Sequence, residues 1–364
     1  MTGTAMTRQA AAPRPASEHI LATSAQFSAA LGQVLSLVAA TGYRFTTPTP
    51  LTHQRFLNRR QDRLHTLVGT TLRDIFGWNL PFEPAALDAP LLLALQSAGM
   101  LQASGNLLRS GVRIATLGDD FFLHTAYPTT QDNAVFFGPD TYRFARFIDR
   151  CVPHLLACKP LADDLAAPQA LRLLDVGCGS GAGALALVRA LTPPAADRLL
   201  QRAAPLAVTM SDINPLALEI ASINAAFAGV PVELAQGDVM AALPGEFDVI
   251  ICNPPYMSDA EARAYRHGGA RLGRALSVRI AAEALSRLAP GGHLLLYTGV
   301  AIVDGIDPLL AELQPLLLAA GCDWTYSEID PDVFGEELES AAYTQADRIA
   351  AVGLHARRLP EASQ

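Results

Sequence analysis

A chain of 364 residues, half of them apolar, is long enough for two domains that each bury a core. The net charge is -8, from 27 basic and 35 acidic residues, which argues against a wide phosphate-binding face. The five cysteines (Cys151, Cys158, Cys178, Cys252, Cys322) are odd in number and contain no C-x-x-C pair, so neither a disulfide framework nor a metal site is expected, and a reducing, cytoplasmic compartment is.

Residues 1–135 hold ten Arg against eight acidic residues, and the remainder holds 17 basic against 27 acidic. The acidity therefore belongs to the C-terminal part. No apolar run approaches the length of a membrane span. Residues 1–17, rich in Ala, Thr and Pro without an apolar core, read as a disordered tail rather than a signal peptide.

Residues 18–40 carry a helical stripe of Ile20, Leu21, Phe27, Leu31, Leu35 and Val38. A second helix is expected from Thr52 to Phe76, presenting His53, Arg55, Arg59, Arg60 and Arg63 as a solvated basic face or a docking surface. Asp88–Met100 predicts a third helix. A hairpin follows, with arms Leu107–Leu117 and Phe121–Ala126 and the turn Gly118-Asp119-Asp120. Helices followed by a hairpin form a winged-helix-like pattern, suited to substrate capture, dimerisation or DNA binding. We therefore expect an N-terminal domain over 18–133 and a second domain over 134–359. Asp140 caps a helix that starts at Thr141, and a linker spans Pro160–Pro168.

From Leu171 onward, apolar runs and helical patterns alternate. Strands are expected at 171–176, 206–211, 231–235, 247–252 and 293–298, with helices at 182–191, 215–228, 276–289 and 307–320. That alternation predicts an α/β fold with a parallel sheet covered on both faces. Cys322–Ile329 and Arg348–Ala356 are placed to pair as a final hairpin.

Ligands of open α/β sheets bind beyond the carboxyl ends of the strands, and four such ends carry suitable chemistry here. The first strand ends in Asp175, followed by the glycines 177, 179 and 181, whose lack of a Cβ lets backbone N–H groups approach a ligand at a helix N-terminus. The second ends in Asp212, where a carboxylate can take both hydroxyls of a ribose. The third leads to Gly237-Asp238-Val239, where an acid can accept from an adenine amino group. The fourth ends in Asn253-Pro254-Pro255-Tyr256. The G-x-G-x-G spacing and the late acid differ from a dinucleotide fingerprint. Together the four ends point to S-adenosylmethionine, held by Asp175, Gly177, Cys178, Gly179, Gly181, Asp212, Ile213, Asp238, Val239 and Asn253.

On those residues the chain from about 136 to 356 resembles the class I S-adenosylmethionine-dependent methyltransferases. Within them it resembles the N-P-P-Y branch, above all the glutamine N5-methyltransferases that modify peptide release factors. The resemblance implies a Rossmann-like seven-stranded sheet with an antiparallel last strand. It also implies catalysis by Asn253, Pro254, Pro255 and Tyr256. The sequence departs from the family at Gly138-Pro139-Asp140-Thr141, where R-P-[DE]-T is usual. It departs again after the tetrapeptide, where Met257–Arg274, with Arg266, His267 and Arg271, replaces an E-P-containing stretch.

Chemically, the carbonyls of Asn253 and Pro254 can accept the two hydrogens of a planar nitrogen, and Tyr256 offers an aromatic face to a planar acceptor. Met257–Arg274 reads as a mobile lid. Cys178 and Cys252 read as core residues, and the acids from Glu328 to Glu339 as a solvated loop or an attractor of a cationic amine. The leading expectation is N-methylation of a protein glutamine or of a small molecule's amide or amine. Methylation of an RNA base (guanine N2-type) and a winged-helix protein that only senses cofactor stay open, as does a homodimer through the N-terminal domain.

Overall fold

The computed structural model describes residues 16–64, 67–157, 170–192, 205–241, 243–259 and 261–360. The expected tail up to residue 15 and the Pro160–Pro168 linker lie outside them. In the N-terminal part, α1 (Ala16–Ala39), α2 (Pro50–Leu64) and α3 (Ala89–Ser97) precede two short ribbons. Leu31, Val34, Leu35 and Val38 follow the i, i+3, i+4, i+7 spacing of one helix face and are all fully buried.

Two expectations about this part need correction. The second helix stops at Leu64, and residues 73–77 form a separate π-helical turn. The Asp74 carboxylate accepts the backbone N–H groups of Thr70 (3.1 Å) and Thr71 (3.3 Å) and pairs with Arg60, which holds a turn where a helix would otherwise continue. The single long hairpin is two ribbons: β1 (Leu101–Ser104) with β2 (Leu107–Ser110), and β3 (Val112–Leu117) with β4 (Asp120–Thr125). The Ser110 hydroxyl donates to the Val112 carbonyl (2.6 Å) and accepts from its N–H (3.2 Å), bending the chain at Gly111.

Helix α4 (Pro139–Ala157) opens the second part, with proline at its first position. Then come β5 (Leu171–Val176), α5 (Ala182–Leu191), β6 (Leu206–Asp212), α6 (Pro215–Phe227), β7 (Glu233–Gln236), β8 (Phe247–Cys252), α7 (Ala275–Leu285), β9 (Leu288–Ile302), α8 (Pro308–Ala319), β10 (Cys322–Asp330) and β11 (Arg348–Arg358). The sheet has seven strands in the order β10-β11-β9-β8-β5-β6-β7. Strands β9, β8, β5, β6 and β7 are parallel, and β11 runs antiparallel between β9 and β10. The seven-stranded fold that the resemblance implied is present.

Strand β5 is buried along nearly its whole length because helices cover both faces, which is why it reads as a continuous apolar run. One face packs α4 and α5 around Phe144, Ile148, Leu185 and Val188. The other packs α7 and α8 around Ile280, Leu309, Leu313 and Leu317. Asn214 caps α6 by accepting the Leu216 N–H (3.0 Å), and Asp307 caps α8 on Leu309 and Leu310.

The N-terminal part is not a loosely tethered unit. Its core around Val34, Leu35 and Leu95 continues into Ala217, Ile220 and Ile223 of α6. Asn224, fully buried on the same helix, accepts the Leu123 N–H (2.9 Å) and donates to the carbonyls of Leu123 (3.2 Å) and Ser180 (3.0 Å). A single side chain thus ties β4 to the glycine turn after β5.

Candidate active site

The parallel strands end on one edge of the sheet, and there a cavity of ≈ 230 Å³ is lined by residues from all four strand ends. On the donor side, Asp175 ends β5. Its carboxylate is buried and accepts the Ala184 N–H at 2.8 Å, fixing the start of α5. Burial, followed by the neighbouring Asp212 charge, pushes the Asp175 carboxyl up to about 7. Asp212 ends β6, with one oxygen accepting the Gly179 N–H and the other the Asn214 N–H, each at 2.9 Å. The Ile213 N–H also bonds this carboxylate, which lines the cavity. Burial also raises the Asp212 carboxyl.

Gly177 and Gly179 line the cavity with φ of +68° and +53°, and a Cβ built on either would meet no protein atom within 4 Å. The space beside this turn is open cavity, so the residues accommodate a ligand pressed against the backbone. Gly181 is different. It does not line the cavity, it precedes α5, and a Cβ there would crowd Met210 and Ala221 at 3.2 Å. Packing therefore requires a glycine at this position.

Asp238 lines the cavity beyond β7 but is held by Arg279 of α7 at 2.7 Å, a partner the sequence pattern did not suggest. Ile213 presents an apolar side chain, 58% exposed, on the cavity wall, and Val239 lies buried beside it. Cys178 and Cys252 are buried, and burial raises both thiols well above their usual range, which disfavours the nucleophilic thiolate. These side chains supply paired acceptors for hydroxyls, an open glycine turn and an apolar wall, a set that fits S-adenosylmethionine.

On the acceptor side, Asn253-Pro254-Pro255-Tyr256 follows β8 directly, and all four line the cavity. The Asn253 side chain is half-buried and makes no hydrogen bond to another described residue. Tyr256 needs correction. It is 7% exposed, and its hydroxyl donates to Asp140, so the ring serves as an anchor more than as an open stacking face. Room for the ring comes from Gly299 of β9, where a Cβ would collide with it at 2.2 Å. Asp140 does not cap α4 as expected. It lies in the first turn, buried, and accepts Tyr256, Tyr297 (2.9 Å) and Arg143 (3.0 Å).

Residues 257–259 and 261–274 lie over the tetrapeptide and are tied down by charge pairs. Arg263 binds Asp259, Arg266 binds Glu337, and Arg271 and Arg274 both bind Glu312. Arg263 holds the Asp259 carboxyl below its usual range. Arg266 and Arg271 thus have acidic partners, while the buried His267 Nδ1 has none among the described residues. Tyr265 donates to the Thr129 carbonyl at 2.7 Å and lines the cavity with Arg266. The acidic C-terminal stretch is likewise paired: Glu328 with Arg348, Asp330 with Arg143, Glu337 with Arg266. Asp332, Glu336 and Glu339 of the same stretch are exposed and have no ion pair among the described residues. Phe334, in a left-handed conformation (φ 54°), lines the cavity and packs edge-on to Tyr256.

Residues 156–301 match the model of the methyltransferase small domain family. That region contributes β5 to β8 and most of β9 of the seven-stranded sheet, and with them the four strand ends around the cavity. The nearer similarity is to protein-glutamine methyltransferases. The chain is 36% identical over 177 residues to a release factor glutamine methyltransferase of Deinococcus radiodurans, covering 46% of this chain and 55% of the relative. It is 32% identical over 185 residues to the release factor glutamine methyltransferase of Koribacter versatilis, covering 46% and 58%. It is 37% identical over 164 residues to a ribosomal protein uL3 glutamine methyltransferase of Bordetella pertussis, covering 41% and 50%. The chain thus spans between half and three fifths of the length of these relatives.

Proposed function

We propose that the protein transfers the methyl group of S-adenosylmethionine to the side-chain amide nitrogen of a protein glutamine. The observation that carries this reading is Asn253, whose amide is unengaged and opens onto the cavity that holds the glycine turn and Asp212. The relatives named for glutamine methylation support it.

When bound, S-adenosylmethionine supplies a methyl carbon on a sulfonium. An amide nitrogen is a weak nucleophile because its lone pair is delocalised, so position and charge stabilisation must do the work. The Asn253 side-chain carbonyl and the Pro254 backbone carbonyl accept the two amide hydrogens and aim the nitrogen. As positive charge develops on nitrogen these bonds strengthen, which favours the transition state over the ground state. Pro254 and Pro255 fix their own φ and stiffen the turn that carries both carbonyls. The nitrogen releases its proton after alkylation, so no side chain has to remove one beforehand. Tyr265, Arg266 and Phe334 close the acceptor side and limit water.

The acceptor is a macromolecule in this reading, and α2 and the 126–136 segment lie on its side of the protein. Tyr127 reaches Gln54 of α2, and Thr129 is bonded to Tyr265 of the segment over the site. Among the described residues no helix is long and apolar enough to cross a membrane. The test is Asn253→Ala. Removing one such acceptor should lower transfer by about 10²–10³-fold, far more than it weakens S-adenosylmethionine binding in calorimetry. Undiminished transfer would overturn the assignment. Label entering RNA and not protein, with labelled donor and a cell extract, would replace glutamine with a base.

A further inference from the structure

We propose that Asp140 is a positioning residue for methyl transfer, fixing the Asn253–Tyr256 turn by accepting the Tyr256 hydroxyl. The inference rests on the reading of Asn253 given above and deepens it.

Tyr256 is the last residue of the turn, and two prolines separate it from Asn253. Because proline φ is nearly constant, the turn behaves as a short rigid arm. The Tyr256 end of that arm is held from three directions. Its ring sits in the space left by Gly299, Phe334 packs edge-on at 6.0 Å between centroids, and the hydroxyl reaches Asp140. Only the last of these contacts is directional. The first two would hold a phenylalanine equally well.

Asp140 is itself held with little freedom. It is 3% exposed and lies on the first turn of α4, where the helix dipole favours a negative charge. One oxygen takes the Tyr256 hydroxyl. The other takes the Tyr297 hydroxyl at 2.9 Å and the Arg143 guanidinium at 3.0 Å. Arg143 continues to Asp330, whose carboxylate is 2.9 Å from its Nε. The chain of contacts therefore runs from the tetrapeptide through Asp140 to β9 and to the end of β10.

A purely structural requirement would not need this cluster. Burying a carboxylate is costly, and apolar residues of similar volume often serve stability as well or better. What the cluster adds is direction. It defines one position for the Tyr256 oxygen, and through the stiff arm one position for the Asn253 and Pro254 carbonyls. A misplacement of about 1 Å in a group that orients reactants can cost about 10²-fold in rate.

The test combines Asp140→Asn, Tyr256→Phe and the double variant. The assay follows labelled S-adenosylmethionine into the protein fraction of a cell extract, and calorimetry gives the donor dissociation constant. Each single variant should lower the maximal rate by about 10–100-fold. Donor affinity and the extract concentration giving half-maximal rate should each stay within about threefold. The double variant should be no slower than the slower single, because both changes break the same contact. Full activity in Asp140→Asn, multiplicative losses in the double variant, or donor affinity falling in parallel with rate would overturn the proposal. Should Asp140→Asn fail to fold, Tyr256→Phe is compared with Tyr297→Phe. The first should lose clearly more rate, and equal losses would overturn the directional role. The two readings fail differently. An active Asn253→Ala variant removes the proposed chemistry itself, whereas an inactive Asn253→Ala beside a fully active Asp140→Asn removes only the positioning role.

Discussion

The two sides of the cavity are built by different means. The donor side is made from consecutive strand ends: Asp175 near the end of β5, Asp212 at the end of β6 and Asp238 after β7 lie where the parallel sheet delivers them. The acceptor side is assembled from segments far apart in sequence. Asn253 to Tyr256 meets Asp140, Tyr265 and Arg266, Phe334 and the 134–136 stretch there. On the donor side, backbone groups and short side chains make the contacts, so the local motif carries most of the chemistry. On the acceptor side, long side chains held by ion pairs and aromatic packing make the shape, and no local motif encodes it.

The comparison predicts that changes on the two sides separate binding from rate. The largest donor-side effect is expected at Gly179, where φ is +53° and a side chain would project into the cavity. Gly179→Val adds left-handed strain to a direct collision with the ligand and should weaken S-adenosylmethionine by about 10–100-fold. Acceptor saturation, read as the extract concentration giving half-maximal label transfer, should barely move. Equal losses in donor and acceptor binding would blur the division between the two sides.

A smaller effect is expected at the joint between them. Asn224→Ala leaves the Leu123 N–H and the Leu123 and Ser180 carbonyls without their buried partner. Chemical denaturation should show a loss of about 1–3 kcal/mol. A loss within error would mean that β4 and the glycine turn are held together by apolar packing alone.

The most specific effect concerns pH. The Asp175 carboxyl is pushed up to about 7 in the fold, against an unfolded value near 4. Between those values the folded protein binds more protons than the unfolded chain. Stability without donor should therefore fall as pH rises from about 4 to about 7. Asp175→Asn should flatten that part of the stability–pH curve. A variant that keeps the wild-type slope would show that another group supplies it.

The same contrast explains what could be read from sequence. The seven strands, the helices between them and the final hairpin were legible because buried parallel strands leave continuous apolar runs and their helices leave 3.6-residue patterns. Glycine spacing and the acids after each strand located the donor side for the same local reason. The end of α2 and the break between β2 and β3 were not legible. They depend on the Asp74 and Ser110 side chains bonding to backbone, which overrides periodicity. Nor were the roles of Asp140 and Tyr297, which lie 116 and 157 residues from their partners. Gly138-Pro139-Asp140-Thr141 stood out in the sequence, but only the fold shows its aspartate turned toward Tyr256. Gly299, just past the strand expected at 293–298, carries meaning only once the ring that fills its place is known.

The central claim is that the acceptor side receives a planar side-chain amide held by Asn253 and Pro254. The most direct test is to locate the transferred methyl group. Protein labelled by the enzyme would be digested and the modified peptides sequenced by tandem mass spectrometry. The account predicts one methyl group on the side-chain nitrogen of a glutamine, lost when Asn253 is replaced by alanine. A methyl group on a lysine, an arginine or a nucleic-acid base would contradict it.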